Sequence, residues 1–230
     1  FTARQTPQLE TKSPISRKFS SHPTPPRVLI LHANGTNRDR DAALACELAG
    51  GAPEIVHINQ LIGGERKLLD YHMLVVPGGF SYGDDLGAGK LWALDLQHRL
   101  GADIGRFIDD GRPVLGICNG FQALVKAGLL PGDMPSPPTP LPPGEGLSDQ
   151  RAITLTFNEA GHFECRWVYL QPNPNSPCLF TEGLTQPIYC PVAHGEGRIV
   201  ARDQTALDGL RQAGLAALVY TDADGQAAGY

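Results

Sequence analysis

The sequence predicts an α/β fold of three layers, a parallel sheet with helices on both faces, to which a layer of antiparallel strands is added. Three observations predict it. In the first half of the chain, short continuous apolar runs alternate with helix-compatible segments, as expected of strands covered on both sides. Glycine-rich loops follow three of these runs, at residues 34–37, 77–85 and 116–120. Such loops mark the edge where open α/β sheets keep their sites. Beyond a proline-dense stretch, strand-like segments follow one another with few helical gaps, which is the habit of antiparallel sheets.

Residues 1–26 end in Ser20-Ser21-His22-Pro23-Thr24-Pro25-Pro26 and lack apolar periodicity, so they are expected to form a disordered leader. The remainder, 27–230, reads as one domain. Arg27-Val28-Leu29-Ile30-Leu31-His32 is the first buried strand. Ala42, Leu44, Ala45 and Leu48 give residues 39–48 a helical face, and Gly50-Gly51 stops it. Residues 54–58 and 71–76 are the next two strands, the second ended by Pro77-Gly78-Gly79. Residues 86–108 carry helical patterning with irregular geometry near Gly87 and Gly89. Residues 113–117 form the fourth strand, and 121–127 the helix after it. Pro135, Pro137, Pro138, Pro140, Pro142 and Pro143 make residues 131–150 a loop. Strands are expected at 152–157, 163–170, 187–192, 197–201 and 215–221, and a short helix at 205–213. Asp222-Ala223-Asp224-Gly225 is a hairpin turn. The strand it should feed has barely begun at Tyr230. The chain starts at Phe1 and has Met only at 73 and 134, which is not an ordinary translation start.

Composition narrows the function classes. An apolar content of 41% with 19% charged residues can build a sizeable core. The net charge of −5, with no basic stripe, argues against nucleic acid and anionic membrane as partners. No apolar run approaches a membrane span, and no secretory signal pattern is visible. The cysteines, Cys46, Cys118, Cys165, Cys178 and Cys190, form no C-x-x-C pair, so no metal site is expected. Their odd number suits free thiols in the cytoplasm.

The most informative segment is Gly116-Ile117-Cys118-Asn119-Gly120-Phe121-Gln122. A strand runs into the cysteine and a helix leaves it, with glycines on either side. This is the recipe of a nucleophile elbow, where a sharp turn pushes one side chain out at the sheet edge. The positive end of a helix dipole then stands behind the sulfur. A lone cysteine is more often a buried structural residue, but the small-residue frame between strand and helix favours a nucleophile here.

Other motifs are weighed beside it. In Pro77-Gly78-Gly79-Phe80-Ser81-Tyr82-Gly83-Asp84-Asp85, the Gly79 N–H and that of Asn119 are candidate oxyanion donors, against the plainer reading of a tight turn. Asp84 and Asp85 read as loop carboxylates capping the next helix rather than as an acid–base or metal pair. His194 and Glu196, two residues apart on an extended segment, share a face about 6 to 7 Å apart at Cα. They could complete a triad with Cys118, but a ligand-side or interface loop ranks ahead. Asn158, His162 and Glu164 read as solvated hairpin residues.

Three runs carry a family resemblance. Gly78-Gly79-Phe80-Ser81-Tyr82-Gly83-Asp84, the elbow itself, and Ala193-His194-Gly195-Glu196-Gly197 resemble signatures of the glutaminase subunits of phosphoribosylformylglycinamidine synthase. Residues 158–167 are similar to that family as well. These subunits are class I glutamine amidotransferases with a flavodoxin-like fold. The elbow alone would give only the superfamily; the other runs narrow it.

The resemblance implies that Cys118 attacks the glutamine side-chain amide, that Gly79 and Asn119 offer oxyanion N–H groups, and that Gln122, with Gly78 and Phe80, holds the substrate. It implies no cofactor in this subunit, with ATP and Mg used by a partner synthetase that receives ammonia. A small third subunit would join them. The family's catalytic His and Glu lie in a Pro-His-Pro-Glu-Arg segment that this sequence lacks. His194 and Glu196 match a different motif, so their role stays open. The expectation is a C-terminally truncated chain with little glutaminase activity alone. Two alternatives stand: another cysteine-elbow α/β enzyme of the peptidase and stress-protein kind, or a non-catalytic truncated partner subunit.

Overall fold

A computed structural model describes residues 24–132, 151–226 and 228. The expected leader and proline-rich loop lie outside these residues, apart from 24–26 and 131–132. The central sheet holds β1 (Arg27–His32), β2 (Ala52–His57), β3 (Met73–Val76) and β4 (Val114–Gly116). Their order is β2-β1-β3-β4, all parallel, with Leu29 opposite Leu74 and Val76 opposite Gly116.

Strand alternation sends successive side chains to opposite faces. On one face Leu29, Leu31, Leu74 and Val76 pack with Trp92 and Leu96 of α3 (Lys90–His98), Ile104 and Phe107 of α4 (Gly101–Asp109), and Leu124 of α5 (Asn119–Lys126). On the other, Val28, Ile30 and Val75 meet Ala42 and Cys46 of α1 (Asp39–Leu48). Helices on both faces explain why β1 reads as an unbroken apolar run rather than as an alternating one.

The second strand ends one residue earlier than its pattern suggests. His57 accepts a hydrogen bond from Asn59 N at 3.1 Å, and Gln60 Oε1 accepts one from His57 N at 3.0 Å. This reciprocal cap opens a five-residue helix, α2 (Ile58–Ile62), too short to show a helical period. The long helical pattern at 86–108 is divided into α3 and α4, preceded by a 3₁₀ turn over Ser81–Asp84.

The later strands form two sheets of their own rather than hydrogen-bonding to the parallel one. β5 (Ile153–Thr156) pairs antiparallel with β8 (Arg198–Ala201). β7 (Ile188–His194), β6 (Glu164–Pro172) and β9 (Leu218–Thr221) form the other sheet in that order. α6 (Gln204–Gln212) starts where Asp203 accepts from Ala206 N at 2.8 Å. The expected hairpin turn is present, with Ala228 N donating to Tyr220 O at 3.1 Å. Val125 of α5 packs against Ile153 and Leu155, which fixes the first antiparallel sheet beside the helix behind Cys118.

Candidate active site

β4 ends, Ile117 N donates to Val76 O at 3.0 Å, and the chain turns sharply at Cys118. Cys118 has φ 50° and ψ −111°, a conformation that a residue with a Cβ rarely adopts, and its side chain is exposed. α5 begins at the next residue. The turn is possible because Gly120 lies against β3: a Cβ there would stand 1.9 Å from Val76 O. The side chain at the tip of the elbow is therefore presented outward by packing that leaves no room behind it.

The 77–85 loop closes on the same point. A Cβ on Gly78 would sit 3.2 Å from Cys118 Cβ, so this backbone stands directly beside the nucleophile candidate. Gly79 has φ 140°, and a Cβ there would meet Asn37 N at 2.7 Å. Asn119, the first residue of α5, has a backbone N–H with no intrahelical acceptor. Phe80 is 59% exposed beside them.

The remaining site residues brace these loops. The Asn119 amide is buried; its Nδ2 donates to both Asp84 oxygens at 3.0 and 3.1 Å, and its Oδ1 accepts from Ser81 N at 3.1 Å. Asp84 also accepts from Gly89 N at 2.9 Å, where α3 starts. Gln122 is buried, and its Nε2 donates to the Glu196 carbonyl at 2.8 Å. The Glu196 carboxylate pairs with Lys126 Nζ at 2.9 Å and accepts from Ala88 N at 3.3 Å. Glu196 thus ties the loop between β7 and β8 to α5 and to the loop before α3.

His194 is held within its own lobe. Asn158 Oδ1 accepts from Gly197 N at 3.0 Å and lies 2.9 Å from His194 Nδ1. An amide oxygen only accepts, so the His194 proton is on Nδ1. Its Nε2 is buried without a partner among the described residues. Burial pushes the imidazole pKa below its usual value, against the opposing pull of Glu164. Among the described residues, no hydrogen bond joins Cys118 to His194 or Glu196.

Asn158, expected as a solvated hairpin residue, is 7% exposed. Its Nδ2 donates to the carbonyls of His162 and His194 at 2.9 and 2.8 Å, so one amide satisfies several loop groups at once. That use depends on the loops closing around it and leaves no local pattern. Lys126 had no distinguishing signal either, being one cation on an amphipathic helix. Ser81 and Asp84 did lie within a quoted motif, but their partner on Asn119 is far away in sequence.

The chain is similar to proteins of one family. The profile of the CobB/CobQ-like glutamine amidotransferase domain matches residues 25–229. The phosphoribosylformylglycinamidine synthase subunit PurQ of Treponema denticola is 51% identical over 201 residues, covering 87% of this chain and 73% of that protein. The corresponding subunit of Dehalococcoides mccartyi is 44% identical over 200 residues, covering 87% and 71%. Among solved structures, a chain of PurLQS from Thermotoga maritima superposes with a TM-score of 0.62 at 30% identity, covering 89% of this chain and 81% of that one. Likeness of this extent reaches well past the elbow into the antiparallel strands: the chain belongs to the glutamine amidotransferase family, among the PurQ glutaminase subunits of phosphoribosylformylglycinamidine synthase.

Proposed function

We propose that Cys118 is the nucleophile through which this glutamine amidotransferase subunit releases ammonia from glutamine. The exposed sulfur at a strained strand-to-helix turn, with the Gly78 backbone against it, carries this reading. The Cys118 thiolate adds to the side-chain amide carbon, and the carbonyl oxygen takes the negative charge. The N–H groups of Gly79 and Asn119 stabilise that oxygen, each worth on the order of 3 kcal/mol in such sites. Collapse of the adduct breaks the C–N bond, and the nitrogen leaves as ammonia by taking up the proton that the Cys118 thiol released on becoming a thiolate. Water then cleaves the glutamyl thioester to glutamate and frees the thiolate. Gly78 and Phe80 line the place where the substrate's amide end enters, and Gln122 supports it through the groups it braces.

The ammonia passes to the synthetase subunit, which spends ATP with Mg and converts formylglycinamide ribonucleotide to its amidine; a small third subunit completes the assembly. The subunit itself needs no cofactor in this reading, since thiol addition and thioester hydrolysis call for no redox or carrier group. A cytoplasmic location suits the five free cysteines. No helix among the described residues is long and apolar enough to cross a membrane.

The test is glutamine-dependent ammonia release by the whole protein assembled with its synthetase. Cys118→Ala is expected to lower it by at least about 10³-fold, with synthesis from free ammonia and the thermal midpoint unchanged. A diazo-ketone analogue of glutamine should label Cys118 and no other cysteine. Retained glutamine hydrolysis in Cys118→Ala would remove the nucleophile from this residue. Co-purification with the synthetase but no hydrolysis by the unsubstituted protein would make the subunit a binding partner only.

A further inference from the structure

Among the described residues, only three non-glycine residues have positive φ: Tyr82 at 60°, Asp84 at 55° and Cys118 at 50°. All three fall in the two loops that meet at the thiol. Side-chain-bearing residues persist in such conformations only where surrounding contacts hold them. One set of contacts spans both loops. Asp84 accepts from Asn119 Nδ2 with both oxygens and from Gly89 N, while Asn119 Oδ1 accepts from Ser81 N. Ser81 is 1% exposed, and its Oγ lies 2.8 Å from Thr36 Oγ1, which also accepts from Ala33 N at 3.2 Å. Tyr82 N donates to Asn34 O at 2.7 Å. The chain of contacts runs from the end of β1, through the 77–85 loop, to the first residue after Cys118.

We infer that Asp84 is a positioning residue of the glutaminase: through the Asn119 amide it holds the loop bearing the Gly79 N–H in register with the Asn119 N–H. This rests on the oxyanion reading of those two groups. The physical reason is the direction of the donors. Two N–H groups from loops remote in sequence stabilise an oxyanion only if both point at the same oxygen, and a misplacement near 1 Å is costly. Gly79 has no side chain with which to anchor itself, so its position follows from what holds Ser81 and Asp84. A charged acceptor makes stronger bonds to the Asn119 amide and the Gly89 N–H than a neutral one would. Asp84 touches no substrate in this role, and the thiol needs nothing from it.

The experiment separates addition chemistry from simple thiol reactivity in the whole protein assembled with its synthetase. The γ-semialdehyde of glutamate adds to Cys118 to give a thiohemiacetal, with the S–C bond formed and the former carbonyl oxygen placed where the oxyanion would be. Iodoacetamide alkylates the same sulfur by displacement of iodide and forms no oxyanion. Asp84→Asn is expected to weaken aldehyde binding about threefold and Asp84→Ala about 10-fold, below the 10²–10³ of deleting a donor outright. The iodoacetamide rate should stay within about twofold in both. Asn119→Ala, which keeps its backbone N–H, should match Asp84→Ala, and the double substitution should be no worse than either alone. Unchanged aldehyde binding in Asp84→Ala would overturn the inference. So would a parallel fall in alkylation, which marks a general loss of the elbow. No adduct in the unsubstituted protein would instead overturn the oxyanion reading, and the inference with it.

Discussion

The parallel and antiparallel parts of the chain hide their apolar residues to very different degrees. In β1 and β3, Leu29, Ile30, Leu31, Val75 and Val76 are all 0% exposed. In the antiparallel sheets Ile153, Leu155, Val168, Pro172 and Thr221 are buried, while Trp167, Tyr189 and Ile199, with Phe163 just before β6, are each more than half exposed. Trp167 and Tyr189 stack on that open face with ring centroids 4.9 Å apart. The difference separates two tasks. A dense core can hold Cys118 at a positive φ, because neighbouring atoms leave the backbone nowhere to relax. Among the described residues, the antiparallel sheets meet α5 through the packing of Val125 on β5, the Glu196 bridge to Lys126 and the bond from Gln122 to the Glu196 carbonyl.

The largest expected contrast is in core truncation. Leu29→Ala should cost about 3–5 kcal/mol in denaturant unfolding, whereas Ile199→Ala should cost under about 1 kcal/mol. Equal losses would erase the distinction between the two regions. The next effect sharpens it at the seam. Glu196→Gln leaves the Lys126 ammonium facing an uncharged partner, and should destabilise by about 1–3 kcal/mol. Amide hydrogen exchange should then rise in residues 198–201 while β1 and β3 stay protected. Uniform exchange across both regions would mean that Glu196 is no tether.

The smallest effect is a pH dependence confined to the antiparallel side. The His194 imidazole has its pKa lowered by burial, so the folded state favours the neutral ring. Its contribution is fully present above the unfolded value near 6.5, and is lost as pH falls through the lower folded value. Chemical shifts of residues 158–162 and 194–197 should move in that window, and His194→Gln should flatten the stability curve there. An unchanged curve in the variant would assign the acid sensitivity elsewhere.

Much of the molecule was legible because its signals are local. Buried strands of a parallel sheet are written as continuous apolar runs, and residues 39–48 form a helix with the bounds their pattern suggested. The glycine frame around Cys118 announced the elbow because the steric demand there is met by immediate chain neighbours. α2 was not legible, since five residues cannot display a period, and the cap at His57 uses a residue type seldom found in that role. The separation of the later strands into two sheets was hidden too, because alternation within a strand says nothing about which strand lies beside it.

Short-range sterics and apolar spacing were enough to establish a thiol at the end of a parallel strand, between glycines. The duties of Asp84, Asn158, Lys126 and Glu196 were decided only when the chain folded back on itself. Most of their partners lie at least 35 residues away, as between Asn119 and Asp84, and Ala88 is 108 residues from Glu196. A polar side chain in sequence declares what it can bond to, not what will be within 3 Å of it, and that distance is a property of the packed core alone.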